Sequence, residues 1–231
     1  MIPVLFIVIP MITGLAVFFF KNERSVKLLA LFSSLATLVV ALLGLTLLND
    51  NNNVQYSANW LGFLGSRISL KVDGMGQVLC LLTSISYPAI FIATWKNQYQ
   101  KAGNFFGLML LSQAGLMGVF VAMDALLFYF FWEMVLIPVY FLSSQWGGEK
   151  RIRATMKFFI YTFLGSVLML VGIIYLYSQT PDHSFSIESF YNLNKILPGK
   201  TQNWVFWLFF AAFAVKMPIF PFHTWQPDLY E

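Results

Sequence analysis

Five stretches of about twenty residues carry no charged side chain at all: Met1 to Phe20, Leu28 to Leu48, Met75 to Trp95, Phe105 to Met123 and Phe158 to Ser178. Two further apolar stretches hold one charge each, Glu133 within Ala125 to Ser144 and Lys216 within Trp204 to Pro221. About twenty apolar residues in a helix, rising 1.5 Å each, cross the hydrocarbon of a bilayer. The chain therefore reads as an all-α, polytopic membrane helix bundle with seven predicted transmembrane helices, the last broken at prolines and truncated. Only 10% of the 231 residues are charged, against about 25% in soluble domains, too few to cover a water-soluble globule. A soluble enzyme and a disordered chain are excluded.

Three segments follow from this pattern: a helix pair over 1–48, an outer loop with a short hairpin over 49–73, and the remaining helices over 74–231. The loop opens on the polar run Asn49 to Asn53; Ile68, Leu70 and Val72 then alternate with Ser69 and Lys71, which predicts a strand. A second polar loop, 179–203, holds Ile187, Phe190, Tyr191 and Leu193, spaced for one amphipathic turn.

The first apolar run lacks a basic segment before it and a small-residue cleavage site after it, so it reads as a retained helix rather than a signal peptide. With the N-terminus outside, the inner loops hold nine basic residues: Lys21, Arg24, Lys27, Lys96, Lys101, Lys150, Arg151, Arg153 and Lys157. The outer loops hold four, Arg67, Lys71, Lys195 and Lys200. This asymmetry follows the positive-inside rule and predicts a multi-pass protein of the cell's inner (plasma) membrane with its N-terminus outside. The lipid bilayer is the expected environment, and nothing points to nucleic acid.

A charge near the bilayer centre costs about 2.5–3.5 kcal/mol on insertion scales, so the two within spans call for a reason. Glu133 follows the expected helix cap Asp124 by nine residues and lies about 13 Å deep; Lys216 follows Trp204 by twelve and lies about 18 Å along its helix. Both helices enter from the outer face, so the two residues are candidates for a buried proton-transfer pair. Neutralising the glutamate lets the lysine release its proton more readily. Tyr129, Tyr140 and Ser144 share Glu133's side of an uninterrupted helix, as hydrogen-bond partners or as the lining of a water chain. Pro218 and Pro221 break the chain after Lys216, as in transporter helices that line a wet cavity, and His223 is a candidate relay with a side chain that titrates near neutrality. Gly103 and Gly107 form a small-xxx-small packing pair, Gly115, Gly118, Gly165 and Ser166 add further small residues, and Gln113 is expected to bond to a neighbouring helix. One cysteine, Cys80, and two histidines supply neither an iron–sulfur set nor a haem pair. No nucleotide-binding glycine motif is present. Cofactor-binding and metal-binding residues are therefore not expected in this chain.

The stretch Phe130-Phe131-Trp132-Glu133-Met134-Val135-Leu136-Ile137-Pro138, then Trp146-Gly147-Gly148, resembles the fifth helix and following loop of the antiporter-like subunits of respiratory complex I. Ala214-Val215-Lys216-Met217-Pro218-Ile219-Phe220-Pro221-Phe222-His223-Thr224-Trp225 resembles their broken seventh helix, continued by Gln226-Pro227-Asp228 with Gln226 where leucine is more usual. Leu136-Ile137-Pro138 and Trp146-Gly147 favour the chain 4 (subunit M) type. The resemblance implies fourteen helices in two inverted repeats, of which this chain supplies the first seven as a fragment. It implies a proton-translocating membrane subunit of NADH-quinone oxidoreductase, with Glu133 and Lys216 as the coupled pair. The enzyme's NADH, FMN, iron–sulfur clusters and quinone then belong to partner subunits, and the partners are other membrane subunits of complex I. The alternative is a subunit of an Mrp-type cation/proton antiporter, which shares the Glu and Lys.

Overall fold

The structure is a computed structural model that describes residues 1–46 and 54–230. The expected polar run Asn49 to Asn53 and the end of the second predicted span at Leu48 lie outside the described residues.

Among the described residues, ten α-helices and two strands follow one another: α1 (Ile2–Val17), α2 (Glu23–Thr46), β1 (Gln55–Asn59), β2 (Arg67–Lys71), α3 (Gly74–Ala93), α4 (Ala102–Val121), α5 (Ala125–Met134), α6 (Leu136–Trp146), α7 (Arg151–Gln179), α8 (Ile187–Asn192), α9 (Gly199–Lys216) and α10 (Trp225–Tyr230). Among the described residues, five helical stretches are long and apolar enough to cross a bilayer: α2, α3, α4, α5 with α6, and α7. The other two predicted spans are shorter or more polar than that. The 16 residues of α1 rise about 24 Å, because the chain turns at Phe19 and Phe20, whose amides bond the Ala16 and Val17 carbonyls. The first turns of α9 carry Lys200, Gln202 and Asn203.

The fifth predicted span is not one continuous helix. It is interrupted at Val135, between α5 and α6. Pro138 has no N–H to give the Met134 carbonyl one turn before it, so the ladder opens there. The sixth span starts earlier than Phe158: α7 runs 29 residues from Arg151 and carries Arg153 and Lys157 inside its first turns.

The chain forms two compact units. One comprises Met1–Ala58, Ile68–Met123 and Phe130–Val139; the other comprises Asn59–Arg67, Asp124–Tyr129 and Tyr140–Glu231. These units do not follow the loop positions 48 and 73.

In the first unit, Val17, Val26, Ala30, Tyr87, Phe91, Phe106 and Leu110 form the buried core. Gly14 and Gly107 let the α1 and α4 backbones touch: a Cβ on Gly107 would stand 3.0 Å from the Gly14 carbonyl oxygen, and one on Gly103 3.0 Å from that of Val17. Gly107→Val is expected to cost about 1–3 kcal/mol through overpacking and to lower the amount of assembled subunit in membranes. Quantitative blotting of those membranes checks it, with unchanged levels as the contrary result. Lys27 is buried rather than a loop anchor; its Nζ donates to the Trp95 and Asn97 carbonyls at 2.9 and 2.7 Å and pairs with Glu23 at 2.7 Å. Asp73 caps α3 by accepting from the Gly76 amide at 2.6 Å. Residues 68–71 of the alternating run fall on β2, which pairs with β1, and Met123 N donates to the Ser69 carbonyl at 2.8 Å.

In the second unit α7 and α9 pack through small residues, Gly165 against Val215 and Gly172 against Phe209. Gly65 has φ 72° and sits against the His183 carbonyl, where no other residue fits. Of the expected amphipathic turn in 179–203, Leu193 is buried but Tyr191 points away and is exposed.

Candidate functional site

Glu133 lies in the last turn of α5, two residues before the interruption at Val135. Two glycines of α4 bring that turn close: Gly118 takes the ring of Phe131, and Gly115 takes Val135 and Met134. The glutamate is half-buried, and its Oε1 is buried with no hydrogen-bond partner among the described residues. A buried oxygen without a hydrogen-bond partner carries a desolvation cost. It also has unused capacity to accept from water or an incoming donor.

The expected stripe of hydroxyls does not continue from Glu133. The backbone still bridges Val135, whose N–H donates to the Phe131 carbonyl at 3.2 Å and whose carbonyl accepts from Val139 N at 3.4 Å, but the hydroxyls beyond it have other partners. The Tyr140 hydroxyl donates to the Met156 sulfur at 3.7 Å, and its ring packs on Phe159. Ser144 Oγ donates to the Phe141 carbonyl at 3.2 Å. Gln113 departs from expectation as well: it is fully buried in α4, and neither its amide oxygen nor its nitrogen has a partner among the described residues. Gln113→Leu is expected to stabilise the subunit by about 1–3 kcal/mol, the desolvation cost removed. Thermal unfolding of the purified complex checks it; a lower midpoint would mean that the amide bonds water or ligand.

Asp124 caps α5 as expected, and it does more. It is 2% exposed, and its carboxylate accepts from the Leu126 and Leu127 amides at 3.0 Å each, from Ser66 Oγ at 3.0 Å and from the Arg67 amide at 3.1 Å. Asp124→Ala is expected to cost about 1–3 kcal/mol, since it removes a cap and leaves buried donors without acceptors. A fall in the subunit's thermal midpoint with wild-type packing of α9 checks it.

In the second unit, Lys216 is the last residue of α9 and is half-buried. Met217 N still donates to the Phe213 carbonyl, but Pro218 has no N–H to continue the ladder. Two substitutes take the freed carbonyls. Ile219 N reaches Ala214 at 2.9 Å, and the buried indole Nε1 of Trp225 donates to Val215 at 2.9 Å. The Phe220–Pro221 peptide is cis, and Phe222–Thr224 form a single 3₁₀ turn. His223 lies in that turn, half-buried, with its ring 5.5 Å from that of Phe220 and its buried Nδ1 without a partner among the described residues.

The turns of α7 nearest its N-terminus hold the chain that follows. Lys157 Nζ donates to the Thr224 carbonyl at 2.7 Å and to Asp228 Oδ2 at 2.8 Å. Phe158 packs on Trp225 with centroids 5.1 Å apart, and Thr224 Oγ1 donates to the Tyr161 hydroxyl at 3.2 Å. The hydrogen bond from Lys157, with its charge, holds the Asp228 carboxyl below the usual carboxylate range. A lowered value means the pair is intact at neutral pH and is lost only as pH falls through that value. A cavity of about 620 Å³ opens beside it, lined by Lys150, Arg151, Arg153 and Lys157 with Glu149 and Asp228. Trp225 and Asp228 entered the sequence reading only as motif letters, and their partners lie far away in sequence.

Residues 122–231 match the family described as NADH:quinone oxidoreductase/Mrp antiporter, transmembrane. The F(420)H(2) dehydrogenase subunit M of Methanosarcina mazei is 38% identical over 245 residues, covering 100% of this chain and 48% of that protein. The chain belongs to the antiporter-like membrane-subunit family of complex I. A second family member, the NADH-quinone oxidoreductase subunit M of Rickettsia typhi, is 33% identical over 233 residues, with 96% of this chain and 47% of its own length covered. A chain of respiratory complex I from Thermus thermophilus with bound NADH superposes with a TM-score of 0.82 at 27% identity, covering 99% of this chain and 46% of that one. The chain thus spans about half the length of the family members it matches.

Proposed function

We propose that this chain is the first half of a proton-translocating subunit of an NADH-quinone oxidoreductase. In this reading Glu133 and Lys216 are the proton-transfer pair and His223 is a relay. The observation that carries it is that both intramembrane charges stand at helix interruptions, Glu133 just before Val135 and Lys216 just before Pro218. Loosened backbone at membrane depth is tolerated where it is buried in protein or lines water, and it accompanies ion pathways.

The chemistry follows from the side chains. Glu133 carries an exchangeable carboxyl proton and Lys216 an exchangeable ammonium proton, so each can take up and pass on a proton. A proton taken up by Glu133 removes a negative charge that favours Lys216 as a cation, and Lys216 then releases its own proton onward. The unpartnered Nδ1 of His223 is a suitable acceptor on the far side of the break. Redox energy comes from partner subunits that hold FMN, iron–sulfur clusters and quinone. The similarity to an F(420)H(2) dehydrogenase subunit supports an electron donor chosen elsewhere than in this chain.

This chain has seven spans in this reading, with α1 and α9 as first and seventh, and its N-terminus faces outside the plasma membrane. Single cysteines test that orientation. One at Lys101 is expected to react with an impermeant thiol reagent only in inverted vesicles, and one at His183 only in right-side-out cells; the opposite pattern refutes the topology. An Mrp-type antiporter subunit is the less favoured reading, because the relatives at 33% and 38% identity carry dehydrogenase names. Genes for quinone-binding and iron–sulfur subunits beside this one would support the redox complex. The site is tested by Glu133→Gln in the full-length subunit, where wild-type proton pumping refutes it.

A further inference from the structure

We propose that Lys157 is a positioning residue for Lys216, acting through Asp228 and the chain between them; this rests on the proton-path reading above. Five contacts define the device. Lys157 grips both the Thr224 carbonyl and Asp228. Phe158 and Tyr161, one and four residues along α7, hold Trp225 and Thr224. The Trp225 indole in turn occupies the carbonyl of Val215, the residue before Lys216. The helix end that carries Lys216 is therefore completed by a side chain from beyond the break, and that side chain is fixed by α7. A proline break leaves α9 no ladder of its own to define this end. Without the grip, Trp225 leaves the Val215 carbonyl and the last turn of α9 frays.

The ion pair is a weak source of stability, since Lys157 is 33% and Asp228 53% exposed. Its two short bonds fix geometry instead. Variants that lose it are therefore expected to assemble, which makes the test clean. Both partners line the neighbouring cavity, with Lys150, Arg151 and Arg153.

The experiment uses the full-length subunit in the purified complex, with two readouts. Hydrogen exchange followed by mass spectrometry over residues 213–230 reads the latch directly; Lys157→Gln and Asp228→Asn are each expected to raise exchange about tenfold, including at 213–219. Protons moved per electron pair in sealed vesicles read its consequence, expected to fall about threefold or more in both variants. The Lys157→Gln–Asp228→Asn double variant is expected to be no worse than either single one, as for residues acting as a unit. The Lys157→Asp–Asp228→Lys exchange and Lys157→Arg are expected to restore most of both signals. Unchanged exchange at 213–219 overturns the proposal whatever the pumping. Raised exchange with wild-type pumping overturns it too. Failure of the charge exchange to rescue either signal, with normal assembly, overturns it by giving Lys157 a role of its own. If instead Glu133→Gln and Lys216→Met pump normally in the same vesicles, the proton-path reading fails, while the exchange data still report on the latch.

Discussion

Glu133→Gln in the full-length subunit is expected to abolish proton translocation through this subunit while leaving the complex assembled. Glutamine has nearly the size of glutamic acid, so Phe131 and Val135 keep their places against Gly118 and Gly115. The stability change is expected to stay within about 1 kcal/mol, the range of substitutions that create neither a cavity nor a clash. What glutamine lacks is an exchangeable carboxyl proton. A positioned acid–base group contributes about 10²–10⁴-fold to a proton-transfer step, so the loss is expected to exceed tenfold. The measurement is quenching of a pH-sensitive dye in inverted vesicles driven by NADH. Electron transfer to an artificial acceptor that bypasses quinone is expected to stay at wild-type rate. A Glu133→Gln variant that pumps normally reduces Glu133 to a structural acid.

Lys216 separates two meanings of a buried cation. If the positive charge alone mattered, Lys216→Arg would preserve function. If a proton must leave, arginine fails, because a guanidinium keeps its proton in proteins whereas a lysine ammonium can give one up. We expect Lys216→Arg and Lys216→Met to be equally inactive, each more than about tenfold below wild type. Arginine also has a bulkier head at the one place where α9 ends and Ile219 and Trp225 supply the missing carbonyl partners. Circular dichroism and exchange over 213–219 must therefore match wild type in Lys216→Met before its loss is assigned to chemistry. Full pumping by Lys216→Arg would assign Lys216 a fixed electrostatic role.

What the sequence disclosed is what depends on neighbours along the chain. Hydropathy is a local sum, so α2, α3, α4 and α7 stand where their uncharged runs predicted, and Asp124 capped its helix as an aspartate in that position does. Pro218 signalled the end of α9 because proline acts on the turn just before it. Pro138 carried the same signal four residues past Met134, yet the apolar run around it reads as unbroken, and the interruption beside Glu133 was not foreseen. The hydroxyls that the helical count placed beside Glu133 have partners of their own, Tyr140 at the Met156 sulfur and Ser144 at the Phe141 carbonyl. Contacts between distant segments left no periodic trace: Lys157 with Asp228, Trp225 with Val215 across a broken helix, Asp124 with Ser66 and Arg67. Gln113 resembled a helix-bridging amide, but the small residues that bring α4 and α5 together leave it no partner among the described residues.

The most direct test is the number of protons moved per electron pair in sealed vesicles whose only change is Glu133→Gln with Lys216→Arg in the full-length subunit. Glutamine matches glutamic acid in size and arginine keeps the positive charge, while proton exchange is removed at both positions. The account predicts a ratio lower than wild type by the whole contribution of this subunit, at matched electron-transfer rate and normal assembly. A ratio equal to wild type would contradict it.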